Sequence, residues 1–148
     1  MRPFFRIASR TIYKPPLCHI QTDGSFHRRL QLSRTAVLML TLPPVERVAT
    51  YYDHENSYES EWVSVLDGLK LARSLDVEGV ELENDNVGVI SVLMAQEEPN
   101  WSNQMNIRKH YYEIKELANQ MDWVQVRWIP REINYADMLF KKFEHLKK

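Results

Sequence analysis

Four acidic residues stand where a fold could gather them: Asp23 in T-D-G-S (22–25), Glu61 in the opening turns of a helix-patterned stretch, Asp85 in N-D-N (84–86), and Asp137 near the start of the last helix-patterned stretch. Singly, each has an ordinary use. Asp-Gly turns well, and an early helical glutamate favours the helix dipole, a role Glu59 would fill equally. Together they define one chemistry. Carboxylates brought within a few ångströms cannot all stay ionised without a cation. Hard ions such as Mg²⁺ take carboxylate oxygen, water and phosphate as ligands. Two of them about 3.5–4 Å apart would hold the attacking and leaving oxygens of a phosphodiester in line.

Such a site requires elements that deliver the four acids to one place. Residues 17–22 suit a strand that ends on Asp23, with Gly24 and Ser25 making the turn. The run S-R-T-A-V-L-M-L-T (33–41) is continuously apolar, as a strand buried on both faces would be, and Pro43-Pro44 stops it. Residues 45–52 alternate as a third strand. The period then changes: Trp62, Val65, Leu66, Leu69, Ala72 and Leu75 fall at helical steps, with Asn56 or Ser57 as the N-cap. A short strand (80–83) precedes Asp85, a short helix spans 87–94, and Ile107, Tyr111, Ile114 and Met121 mark a longer helix. Val124, Val126 and Trp128 alternate in a strand that Pro130 ends, and Ala136, Leu139, Phe140, Phe143 and Leu146 mark a last helix. The order β-β-β-α-β-α-α-β-α predicts an α/β fold, one five-stranded mixed sheet flanked by helices, with three antiparallel strands and then parallel additions. A right-handed crossover between the first and fourth strands would set Asp23 beside Asp85.

A chain of 148 residues with 44% hydrophobic and 26% charged residues has the size and composition of a single globular domain. It divides into a basic arm (1–16) and the domain proper (17–148), with Pro15-Pro16 at the boundary. Net charge is −1, so nothing global drives the chain toward nucleic acid, yet the charge is uneven. Arginines and a lysine fill the arm, His27-Arg28-Arg29 and Arg34 follow, and acids concentrate between Glu46 and Glu98. The lone Cys18 excludes an internal disulfide and a cysteine-based zinc site, in keeping with a reducing, cytoplasmic setting. An arginine-bearing, acid-free start leaves an organelle transit peptide as the alternative to a plain arm. No run approaches the roughly 18 apolar residues that span a bilayer, so no membrane partner is expected. A monomer is expected.

From residue 17 to about 143 the chain resembles the ribonuclease H family. The resemblance rests on Thr22-Asp23-Gly24-Ser25 closing the first strand, and on Glu61, Trp62, Ser64, Gly68 and Leu69 along the first helix, which favours Glu61 over Glu59. It rests also on Asn84-Asp85-Asn86 after the fourth strand and on the closing run from Trp128 through Pro130, Arg131 and Asn134 to Ala136-Asp137-Met138-Leu139. It implies that Asp23, Glu61, Asp85 and Asp137 are the catalytic acids and hold two Mg²⁺, with Mn²⁺ as a substitute. The substrate implied is the RNA strand of an RNA–DNA hybrid, cut internally by water to leave 5′-phosphate and 3′-hydroxyl. Backbone near Gly24 and Ser25, with Glu61, would sense the 2′-hydroxyl, and Arg28, Arg29, Asn86, Arg131 and Asn134 would join them in binding substrate, as would Arg34 and Arg127 as phosphate contacts.

The chain departs from the family pattern in four places. Residues 27–41 contain no glycine, Tyr58 stands where many members have Asn, no His lies between Pro130 and Tyr135, and the Asn134 to Asp137 interval is one residue tighter than in several relatives. Two other readings stay open: a nuclease of the same fold that cuts DNA or structured RNA, and a binding or scaffold domain without turnover. Among the tryptophans, Trp62 and Trp128 read as core, and Trp101, in a polar loop, as the surface candidate for base stacking.

Overall fold

The computed structural model describes residues 17–95 and 97–144; the basic arm and Leu146 lie outside them. One five-stranded sheet runs in the order β3 (Val45–Tyr51), β2 (Leu32–Met39), β1 (Cys18–His27), β4 (Gly79–Asn84), β5 (Trp123–Trp128). The first three strands pair antiparallel, and β4 and β5 add in parallel. This is the mixed sheet the element order predicts.

Helix α1 (Ser57–Ser74) begins where Asn56 accepts a 2.9 Å hydrogen bond from Glu59 N, which satisfies one of the orphan donors of the first turn. Its apolar stripe, Trp62, Val65, Leu66, Leu69 and Ala72, lies on Ile20, Val80 and Leu82 of the central strands. Burying each large side chain of this set contributes about 1.5–3 kcal/mol. Helices α2 (Val87–Met94) and α3 (Met105–Asn119) close the same layer through Val89, Ile90, Leu93, Ile107 and Ile114. On the other face, Ala136, Leu139 and Phe140 pack a smaller cluster against Ala36 and Leu38 of β2. No helix among the described residues is long and apolar enough to cross a membrane.

Three local expectations are corrected by the fold. β1 does not end at Asp23. It runs through Gly24 and Ser25 to His27, pairing Asp23 with Ala36, Gly24 with Thr35 and Ser25 with Arg34, and the chain turns only at residues 28–31. The glycine is used for close approach instead of turning: a Cβ on Gly24 would lie 2.4 Å from Ser60 C and 2.6 Å from Glu61 N, so its absence lets the first turn of α1 sit directly on β1. The last helix is shorter than its periodicity suggests. Two 3₁₀ turns (Arg131–Ile133 and Tyr135–Asp137) precede α4 (Met138–Lys142), because the Asn134 side chain accepts from Ala136 N and restarts the chain there.

The third correction concerns tryptophan. Trp62 is fully buried, as its stripe implies. Trp101 is buried as well, its ring 5.1 Å from Tyr111 and its Nε1 donating to Glu98 Oε2 at 2.6 Å, because the polar loop folds back over the α1–α3 aromatic cluster. Trp128 is 47% exposed, since β5 goes from buried at Trp123 and Val124 to exposed at its last two residues.

Candidate active site

β1 pairs with β4 only as far as Gln21 and Glu83, and beyond that point the two strands part. Into this opening come Asp23 from β1, Asp85 just past β4, and Glu61 from the start of α1. One carboxylate oxygen from each of the three lies within 4.8 Å of the other two. Asp137, exposed on the second 3₁₀ turn, stands near enough to help raise the Asp23 carboxyl but is not one of the three that meet within 4.8 Å. Three of the four predicted acids therefore meet, and the fourth, Asp137, lies at their edge.

Their placement is held by hydrogen bonds the sequence does not advertise. Gly24 N–H donates to Glu61 Oε1 at 3.0 Å, so the close approach of α1 to β1 also fixes the carboxylate. Asn84, fully buried, donates to Thr22 O at 3.0 Å and reaches Glu61 Oε1 at 3.4 Å, while its Oδ1 accepts from Asn86 N at 2.7 Å. Asn134 donates to Thr22 O at 2.9 Å, and its amide lies close enough to Asp85 to pull that carboxyl down. Gln21 ties the C-terminal turns to β1, accepting from Tyr135 N at 2.8 Å and donating to Ile133 O at 3.1 Å. Exposed Trp128 donates from Nε1 to Asp85 O at 3.0 Å.

The remaining predicted substrate contacts are spread out. Arg28 and Arg29 are exposed in the β1–β2 turn, just past the end of β1 at His27 and so four residues of strand beyond Asp23, or about 13 Å. Ser25 is half-buried in β1. The Asn86 side chain caps α2, its Oδ1 accepting from Val89 N at 3.0 Å. Arg131 is exposed and its charge bears on Asp85. Asn134 is buried, with its amide committed to Thr22 and Ala136. Gln21 and Asn84 have roles that motif spacing does not announce. Their signal is a polar residue inside an apolar strand, which has to find a buried partner.

Electrostatics set the character of the cluster. Burial, then the charges of Glu61 and Asp85, push the Asp23 carboxyl up to about 9, and nearby Asp137 adds to the rise. Glu61 is pushed up to about 7 by burial and by Asp85, against the pull of the Gly24 N–H and the Asn84 amide. Asp85 is raised by burial, with Asn134 and Arg131 opposing. The protein alone thus leaves the group short of positive charge. Its donors are all hard oxygens at mutual distances a single ion can bridge, which fits a hard divalent cation.

A stability profile follows from these shifts. Both Asp23 and Glu61 rise above the unfolded values near about 4, so the folded state binds more protons than the unfolded one through this range. The stability they contribute is fully present below the unfolded pKa and is lost as pH rises through about 7 for Glu61 and about 9 for Asp23. In EDTA the melting temperature should fall between about pH 5 and about pH 9, and millimolar Mg²⁺ should flatten the fall. A metal-free curve that is flat or rises with pH would contradict these shifts.

A mixed sheet in this strand order, with acids gathered where its central parallel pair opens, is the ribonuclease H-like fold. Residues 21–142 match the profile of the family described as reverse transcriptase-like, and the chain belongs to that family of ribonuclease H-like domains. No curated protein sequence matches it significantly. Among solved structures it is similar to RNase H1 from the halophilic archaeon Halobacterium salinarum NRC-1, with a TM-score of 0.73, 19% identity, and 84% of this chain and 94% of that one covered. It is also similar to the N-terminal RNase H domain of a Mycobacterium tuberculosis protein solved as a fusion with maltose-binding protein (TM-score 0.74, 19% identity, 87% and 94% covered). A third is LC11-RNase H1 in complex with an RNA/DNA hybrid (TM-score 0.67, 15% identity, 82% and 92% covered). At these identities the likeness is one of fold.

Proposed function

We propose that the chain is a metal-dependent endonuclease that hydrolyses the RNA strand of RNA–DNA hybrids and leaves 5′-phosphate and 3′-hydroxyl ends. The observation that carries the reading is the meeting of Asp23, Glu61 and Asp85 within 4.8 Å of one another, with the Asp137 charge bearing on Asp23. These four would hold Mg²⁺, or Mn²⁺ in its place, two ions in all. When bound, such ions supply Lewis-acid stabilisation to the attacking and leaving oxygens of the phosphodiester.

The chain's own groups do the rest. Gly24 N–H and Asn84 aim one oxygen of Glu61 and leave the other for a ligand or a ribose hydroxyl. Asn134, braced on β1 through Thr22, keeps Asp85 oriented and acts as a positioning residue. Arg131 offers positive charge at the lip of the site, and Arg28 and Arg29 would take phosphates farther along the duplex. Ser25 and the amide nitrogen of Asn86 are the remaining polar groups for the sugar–phosphate backbone.

The test is a gel assay on an end-labelled RNA–DNA hybrid beside duplex DNA and duplex RNA, with Mg²⁺, with Mn²⁺ and with EDTA. Internal cuts confined to the RNA strand, requiring metal and absent in Asp85→Asn, are expected. Cutting of duplex DNA or RNA instead would move the assignment to another nuclease of this fold. No cleavage in either metal would leave a binding domain without turnover, and undiminished cleavage by Asp85→Asn would overturn the carboxylate site as the source of the activity.

A further inference from the structure

Three side chains from three segments meet at the start of α1, away from the Asp23 group. Glu59 and Glu61 are two residues apart in a helix and so project about 200° apart around its axis. A carboxylate oxygen of Glu59, a ring nitrogen of His54 in the loop after β3 and a ring nitrogen of His110 in α3 all lie within 4.8 Å of one another. His110 Nε2 stands 2.8 Å from Glu59 Oε2, and the two imidazoles meet edge to face with centroids 6.0 Å apart. His54 and Glu59 are only 7% and 4% exposed.

Each group is held from behind. Ser33 Oγ engages His54 Nδ1 at 2.7 Å, which leaves Nε2 for an ion, with Asp53 Oδ1 standing 3.8 Å from it. Tyr51 stacks on the same ring at 4.6 Å. Glu55 N donates to Glu59 Oε1 at 2.8 Å and leaves Oε2 directed at His110. The buried Nδ1 of His110 has no hydrogen-bond partner among the described residues, with Glu113 Oε1 3.9 Å away. A hydrogen-bonded pair of His110 and Glu59 accounts for two of the three residues. It does not account for a second buried imidazole with a nitrogen to spare beside them.

Two imidazoles and one carboxylate, each oriented through its other atom or its ring packing, form a ligand set for a zinc-class ion, with a fourth position left for water. The donors differ from the all-oxygen set around Asp23 in the way that separates Zn²⁺ from Mg²⁺. We propose that His54, Glu59 and His110 bind a zinc-class divalent ion, which clamps the loop after β3 and helix α3 to the first turn of α1. This site does not depend on the nuclease reading.

The test starts from Asp23→Asn/Asp85→Asn/His19→Gln, which dismantles the Asp23 cluster and the histidine–carboxylate group of His19, Glu81 and Glu83. Titrated with Co²⁺, this protein should take up one equivalent with the visible absorption of a low-symmetry nitrogen–oxygen site, lose it to Zn²⁺, and melt at a higher temperature with Zn²⁺ bound. Adding His54→Gln and His110→Gln should abolish the band and the bound equivalent. Ser33→Ala keeps every ligand and should weaken Zn²⁺ by about tenfold or more, an effect a plain hydrogen-bond network would not produce. Absence of stoichiometric Co²⁺ and Zn²⁺ uptake by the starting protein, or uptake unchanged by the histidine substitutions, overturns the site. Should the histidine variants fail to fold by circular dichroism, Ser33→Ala decides, and an unchanged Zn²⁺ affinity counts against the proposal.

Discussion

Asp23→Asn should lower hybrid cleavage by on the order of 10³-fold or more and, in the same protein, raise the melting temperature in EDTA at about pH 8 by several degrees. The two effects have one origin. Asp23 is 8% exposed, faces the charges of Glu61 and Asp85, and has its carboxyl pushed up to about 9. In the absence of a cation it is the most costly charge in the cluster to maintain. An amide has nearly the same volume and removes that charge, so the apo fold gains. The same change removes an anionic oxygen that a divalent ion requires, so metal affinity and cleavage fall together. Mg²⁺ should then raise the melting temperature of the wild type more than that of the variant. Parallel assays of cleavage and thermal unfolding, with and without Mg²⁺, check all three statements. Loss of activity together with loss of apo stability would instead make Asp23 a packing residue, and retained cleavage would remove it from the site.

The contrast between Asp85, Asp137 and Asp23 shows what a sequence can disclose. The first two sit at real ends and starts of elements, and local patterning finds those: β4 stops at Asn84, and Asp137 directly precedes α4. Asp23 reaches the right place for a different reason from the one its neighbours suggest. Asp-Gly reads as a turn because turn chemistry is local, whereas the use of Gly24 depends on a helix beginning more than thirty residues later. Glu59 and Glu61 pose a similar choice, and both are occupied: Glu61 faces the Asp23 group and Glu59 faces His110. The polar loop around Trp101 misleads, since its polarity says nothing of the aromatic cluster it folds onto. The asparagines and Gln21 that orient the acids are visible in the sequence only as polar residues in awkward positions. Their partners are set by strand register, which periodicity does not supply.

Gly24→Ala is expected to do more damage than the same substitution at Gly68 or Gly88. The new Cβ would meet Ser60 C at 2.4 Å, Ser60 O at 2.5 Å and Glu61 N at 2.6 Å, all of them backbone, so relief requires the first turn of α1 to move off β1. Overpacking of this kind costs about 1–3 kcal/mol or more, and lengthening the Gly24 N–H bond to the Glu61 carboxylate adds about 1.5–3 kcal/mol. Cleavage should drop by roughly 100-fold in the fraction that still folds, because Glu61 would be displaced by about 1 Å from its partners. Gly68→Ala provides the comparison. Its Cβ would meet Thr22 Cγ2 at 2.8 Å and Leu82 Cδ1 at 3.2 Å, side-chain atoms that can yield, so a smaller loss of stability and little change in cleavage are expected. Gly24→Asn distinguishes the two roles open to the glycine. A turn position with left-handed backbone tolerates Asn better than Ala, whereas a site of close approach rejects the larger residue more strongly. Denaturant unfolding of Gly24→Ala, Gly24→Asn and Gly68→Ala, read beside their cleavage rates, should rank Gly24→Asn as the worst of the three; a Gly24→Asn protein more stable than Gly24→Ala would return this glycine to a turn.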